Sequence, residues 1–220
     1  GSYNSINPGF TSAAVGPLSY YKFYAGEGGL RVPLIISGAT SVASPAFPAQ
    51  THAFAWATDV AAPILAFAGV DKPVGRYAGR PVLPITGKDL GPLVRGEVTQ
   101  LYDESEAVGY ELTGPAALFK GPHKLVRNLP PLGDGEWRLY DIVSDPGETN
   151  DLKVVIPDRF QAMLDAYARF EKDNKVMPLP PGYSQTRQLI LNMLRDQLRP
   201  TVLVALLTIL LLIPFAVYLR

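Results

Sequence analysis

The sequence predicts an α/β chain that ends in a membrane-spanning helix. Three observations carry this. An apolar run over 32–37, with Leu34-Ile35-Ile36 at its centre, is entered through a Gly28-Gly29 turn and reads as a central strand. Short segments between 106 and 141 alternate polar and apolar residues between turn signals, and an amphipathic helix follows them. Residues 201–219 then run without a single charge.

The strand entry is the stretch Tyr21-Lys22-Phe23-Tyr24-Ala25-Gly26-Glu27-Gly28-Gly29-Leu30-Arg31-Val32-Pro33. Gly28 and Gly29 permit backbone angles closed to other residues, or a close approach of backbone to a neighbour. Polar groups held on a loop by a rigid strand are a common place for chemistry. By itself, a lysine beside such a turn is an ordinary solvated residue.

The flanking chain follows in order. Residues 1–19 are rich in Gly, Ser, Asn and Pro and read as irregular surface chain. Residues 38–50 form a small-residue loop. Over 51–70, Phe54, Thr58, Ala61, Ala62, Leu65 and Ala68 fall near helical spacing, with Pro63 starting a second segment after Asp59. Residues 71–97 are a Gly- and Pro-punctuated connection. Strands are expected over 110–113, 116–119, 123–127 and 136–141, separated by Gly114-Pro115, Lys120-Gly121-Pro122 and Gly133-Asp134-Gly135. In His123-Lys124-Leu125-Val126-Arg127 the alternation is that of a half-buried strand.

Pro157 opens a helix to about Lys175, with Phe160, Met163, Leu164, Tyr167 and Phe170 on one stripe. Residues 177–183 form a stiff Pro-rich linker. Ser184 caps an amphipathic helix over 184–199. The span then covers 200–220, and its uncharged core is roughly 28 Å long at the helical rise, close to the hydrocarbon thickness. Arg187, Arg195 and Arg199 precede it and Arg220 follows, a balance that by itself points the folded body to the cytoplasm.

Composition excludes several classes of function. The 220 residues are 47% hydrophobic and 18% charged, a folding rather than a disordered composition. Twenty basic and 20 acidic side chains cancel, so no nucleic-acid footprint is visible. There is no cysteine, which removes disulfides, thiolate metal sites and a thiol nucleophile. The two histidines, His52 and His123, are too few and too far apart for a metal cluster. No serine elbow, phosphate loop, dinucleotide fingerprint or calcium loop occurs. Asp103, Glu104 and Glu106 read as a solvated loop, with divalent metal binding as the rarer alternative. His123 reads as a hydrogen-bonded structural residue, and Trp137 and Tyr140 read as sheet core.

Six blocks occur in order. They are Tyr21-Lys22 with Glu27-Gly28-Gly29-Leu30-Arg31-Val32-Pro33; His52-Ala53-Phe54 with Asp59, Pro63 and Ala68-Gly69-Val70; and Gly79-Arg80-Pro81 with Leu83-Pro84. The others are Gly109-Tyr110-Glu111-Leu112 with Lys120-Gly121-Pro122-His123-Lys124; Trp137-Arg138-Leu139-Tyr140-Asp141; and Asp145-Pro146-Gly147-Glu148-Thr149-Asn150-Asp151-Leu152. Together, over 1–175, they resemble the C-terminal part of a type I sulfatase of the bacterial arylsulfatase kind.

The resemblance implies an alkaline-phosphatase-like fold. Residues 1–97 would be the C-terminal part of the catalytic domain with its large mixed sheet. Residues 98–176 would be a small antiparallel sheet with one long helix. It implies hydrolysis of sulfate esters by a formylglycine and a calcium ion. It places Lys22 against the sulfate as both a catalytic and a substrate-binding residue, and it makes Glu27, Gly28 and Arg31 the turn and ion pairs that hold its loop. The formylglycine segment, Cys/Ser-x-Pro-x-Arg, and the calcium ligands do not occur in this sequence. The resemblance puts them upstream of Gly1, so the 220 residues alone are expected to be inactive. It also implies a periplasmic or extracytoplasmic body tethered to the membrane, against the arginine balance. The upstream part would belong to the same longer chain or to a separate N-terminal chain with which this one pairs. Two rival readings are a non-catalytic sulfatase-like subunit of a membrane complex, and a phosphate or phosphonate ester hydrolase.

Overall fold

The computed structural model describes residues 7–36 and 50–218. Helix α1 spans Pro8–Val15. The Asn7 side chain accepts the Gly9 N–H at 3.0 Å and Pro8 takes the first helical position. This Asn-Pro start makes a helix where irregular chain was expected. The short helix α2, Glu27–Leu30, follows the Tyr21–Gly26 loop.

Residues 31–36 form no strand, contrary to the sequence expectation, and Ser37 lies outside the described residues. Val32 is 78% exposed and Ile35 86%. A strand exists only through pairing with a neighbour, and among the described residues no backbone pairs with 32–36. The loop expected over 38–50 also lies almost wholly outside them.

Residues 50–56 have no regular secondary structure, and the helical segment begins with a 3-10 turn, Ala57–Val60, that leads into α3, Ala61–Phe67. Pro63 lies in the first turn of α3, where its missing N–H has no helical partner to lose. The connection holds a two-residue hairpin, β1 Arg76–Tyr77 and β2 Arg80–Pro81, paired Tyr77↔Arg80. Ala78 and Gly79 turn it with φ of 47° and 77°, the pattern of a type I′ turn. Helix α4 is Gly91–Val94.

Four strands follow: β3 Val108–Glu111, β4 Ala116–Lys120, β5 His123–Arg127 and β6 Trp137–Asp141. They form an antiparallel meander in sequence order. The register places Tyr110 opposite Ala117, Leu118 opposite Leu125 and Leu125 opposite Leu139. Helix α5, Pro157–Asp173, covers one face, against which Met163, Ala166 and Tyr167 bury Ala116, Leu118, Leu125 and Leu139. Each fully buried leucine there contributes about 1.5–3 kcal/mol.

The second face is also covered. Ala117, Phe119, Val126 and Tyr140 bury Ala25, with Leu30, Phe54, Trp56 and Tyr110 at the margin. This corrects the half-buried reading of β5, because its polar-looking face is closed over by the chain around residue 25.

Helix α6, Gln185–Tyr218, is one continuous helix that runs through Pro200, where the sequence suggests a boundary between two helices. The Ser184 hydroxyl accepts the Arg187 N–H at 3.3 Å, as its cap reading requires. Among the described residues no helix is long and apolar enough to cross a membrane. The span expected over 200–220 falls largely on residues whose side chains lie outside the described ones.

His123, at the start of β5, is not hydrogen-bonded as expected: its Nδ1 is buried without a partner. Burial, with the Arg159 charge adding to it, holds this imidazole below its ordinary value of 6.5, while Asp141 opposes. Folding therefore disfavours the charged imidazole, and the unfolded chain binds more protons below about pH 6.5. Stability should fall as pH drops through that window. His123→Gln should flatten that part of the Tm-versus-pH curve; an unchanged slope would assign it to other groups.

Candidate functional site

Lys22 stands at the tip of a tight turn. The Tyr24 N–H donates to the Tyr21 carbonyl at 3.0 Å, closing a four-residue turn with Lys22 and Phe23 at its corners. Lys22 is exposed, and its Nζ lies 5.1 Å from the Phe23 ring centroid. Among the described residues it has no ion-pair partner.

The turn is held from below. Tyr24 is buried, stacks on Tyr20 at 5.4 Å and meets Tyr21 edge-on at 5.4 Å. Burial pushes the Tyr24 phenol up, with Tyr21 and Tyr20 adding to it. The Ala25 N–H donates to Asn128 Oδ1 at 2.7 Å, which ties the loop to the residue that follows β5. The Gly28 N–H donates to the Ser19 carbonyl at 2.7 Å. A Cβ at Gly28 would collide with the Tyr20 carbonyl, and one at Gly29 with the Tyr24 carbonyl. Of the two roles open to these glycines, close approach is the one used.

The bracing charge is Lys124, fully buried on β5. Its Nζ donates to Glu27 Oε1 at 2.8 Å and meets Glu148 Oε1 at 2.8 Å. Both carboxylates are buried as well. Glu148 Oε2 accepts the Glu27 N–H at 2.9 Å and the Ser19 hydroxyl. Arg31 lies 3.7 Å from Glu27 Oε2 and adds a second, half-exposed cation. Two anions and two cations therefore balance, the condition under which buried charge is tolerated. Glu27 Oε1 and Glu148 Oε2 accept hydrogen bonds, while Glu148 Oε1 meets Lys124 as an ion pair without one. Sequence reasoning placed Glu27 and Arg31 in this role and missed Lys124 and Glu148. Lys124 shares its strand face with Val126, and the only signal was a lysine on that face.

A second buried carboxylate, Asp59, accepts from the Trp56 N–H at 2.6 Å, the Lys88 N–H at 2.7 Å and the Tyr102 hydroxyl at 2.8 Å. Burial pushes the Tyr102 phenol well up, and the Asp59 acceptor adds to it, so Tyr102 stays a donor. This clip joins the start of α3 to the segment before α4. In the acidic loop, Glu106 accepts from Lys88 Nζ at 2.5 Å and the Asp103 N–H at 2.7 Å, and Asp103 accepts the Ser105 N–H at 2.8 Å. Their carboxylates are thus used locally. Among the described residues no group of three or more His, Asp or Glu side chains could hold a metal ion. His52 is exposed. Trp137 and Tyr140 belong to the two sheet faces, as expected.

Removing Lys124 would leave two buried carboxylates facing each other. Lys124→Met should cost about 3–5 kcal/mol in urea denaturation. The triple change Glu27→Gln, Lys124→Met, Glu148→Gln should recover most of that loss, since no unpaired charge is left behind. A triple variant no more stable than Lys124→Met would refute the charge argument.

No protein-family model matches the chain. Over 188 residues it is 29% identical to an uncharacterized sulfatase of Schizosaccharomyces pombe, covering 83% of this chain and 33% of that protein. The chain therefore spans about a third of the length of this curated relative. Among solved structures it is similar to BT1596, a 2-O GAG sulfatase, at 21% identity and a TM-score of 0.36 over 56% of this chain and 26% of that one. It is similar to Ps i-CgsB, solved with k-i-k-neocarrahexaose, at 19% identity over 79% of this chain and 35% of that one. The TM-score of 0.53 in that pair is a likeness of fold.

Proposed function

We propose that this chain is the C-terminal part of a sulfatase that hydrolyses sulfate esters, and that Lys22 is its contribution to the active site. The supporting observation is the placement of Lys22. It is an exposed ammonium at the tip of a turn whose base is clamped by Glu27, Lys124 and Glu148, in a chain similar to a sulfatase over 188 residues. A compact ammonium with three donors suits a sulfate, neutralising its oxygens and donating a proton toward the departing ester oxygen. In this reading residues 1–97 complete a catalytic domain and residues 98–176 form its small C-terminal subdomain. The residues described here do not fit a calcium site. A calcium ion and a formylglycine would come from other parts of the protein, supplying charge stabilisation and the nucleophile. The apolar C-terminal segment would tether the protein to a membrane, with the folded body periplasmic or extracytoplasmic.

In the full-length protein, Lys22→Ala should lower kcat/KM for 4-nitrophenyl sulfate by on the order of a hundredfold, within the usual range for a positioned acid. The wild type should prefer the sulfate to 4-nitrophenyl phosphate. Full activity in the alanine variant would remove Lys22 from the site. For the tether, alkaline carbonate should leave the full chain in the membrane pellet and release a chain that stops at Gly182. Release of both would refute the anchor.

A further inference from the structure

Phe23 adopts φ of 82°, in the left-handed region that favours glycine and strains a bulky residue. Strain of this kind persists only where the surroundings enforce it, and it collects at ligand sites. Tyr20, three residues earlier, also has positive φ, at 61°, but packing accounts for it. Its ring stacks on Tyr24 and lies so close to Gly26 that a Cβ there would meet it at 2.6 Å. Phe23 has no such explanation. Its ring enters none of the buried clusters and no aromatic pair among the described residues, and the residue is 42% exposed. Among the described residues the ring has one cation partner, the Lys22 ammonium, 5.1 Å from the ring centroid. The turn thus pairs an apolar ring with a cation, on a base that cannot shift without breaking the buried Lys124 contacts.

We propose that Phe23 is a specificity-determining residue, its ring forming a platform for the ring of an aryl or pyranose sulfate while Lys22 meets the sulfate group. This rests on the sulfate-ester reading above. An ester with an anionic group directly on a ring carries the features that match a cation beside an aromatic face. The ring gains dispersion and stacking on Phe23, and the charge is met by the neighbouring side chain. A turn serving only to expose Lys22 would be better served by glycine at this φ.

That contrast supplies the test. In the full-length protein, Phe23→Gly suits the backbone and should raise Tm. Wild type, Phe23→Gly and Phe23→Tyr are compared on 4-nitrophenyl sulfate, glucose 3-sulfate and hexyl sulfate. For Phe23→Gly, kcat/KM on a ring ester should fall roughly tenfold more than on hexyl sulfate, the scale of one lost aromatic contact. The loss should lie mainly in KM, and Phe23→Tyr should retain the wild-type preference. Whichever ring ester falls identifies the ring. An equal change on all three esters, or a lower Tm in Phe23→Gly, overturns the inference. A wild type that hydrolyses none of the three overturns the sulfate-ester reading itself.

Discussion

The rest of the structure depends on one buried ammonium. Lys124 sits on the small sheet's second face, between one carboxylate from the chain before the sheet and one from the chain after it. Glu27 comes from the loop that carries Lys22, and Glu148 from the Asp145-Pro146-Gly147-Glu148 turn after β6. Neither carboxylate would be stable there without the cation, and the cation would not be stable without both. Their mutual need joins segments separated by about a hundred positions, and it fixes where the Lys22 turn lies relative to the sheet.

That junction explains why the small sheet is covered twice. A helix on one face is the ordinary solution for a four-stranded meander. Here the other face takes up Ala25, Leu30, Phe54 and Trp56, so the sheet is a base for the candidate site rather than a separate appendage. The alternation of β4 divides the work. Ala116 and Leu118 face α5, while Ala117 and Phe119 face the loop. A shift of β4 by one residue in register would exchange those sets. The same base leaves the turn itself in solvent, with its strain concentrated at Phe23.

Much of this was legible in residue order. The meander was readable because Gly-Pro, Lys-Gly-Pro and Gly-Asp-Gly turns punctuate alternating segments, and α5 because Pro157 begins a five-residue apolar stripe. The role of Glu27 and Arg31 came from the resemblance of their block. What was not legible depends on partners distant in sequence. The apolar run at 32–36 has strand composition but no described neighbour to pair with, and composition does not supply one. Nothing in residue order marks Lys124 as buried, because alternation tells which residues share a face and not what covers that face. His123 reads as satisfied, yet its Nδ1 is enclosed without a donor or acceptor.

By itself, then, the sequence determined the local elements: turns from Gly and Pro chemistry, strands and helices from period, and the position of Lys22 beside a glycine pair. These are set by interactions within a few residues. The tertiary structure alone decided that the glycines serve close approach and that a lysine is buried between Glu27 and Glu148. It also decided that Phe23 is held strained and exposed beside Lys22. Those outcomes turn on desolvation and on contacts between distant segments, and neither is encoded in any local pattern.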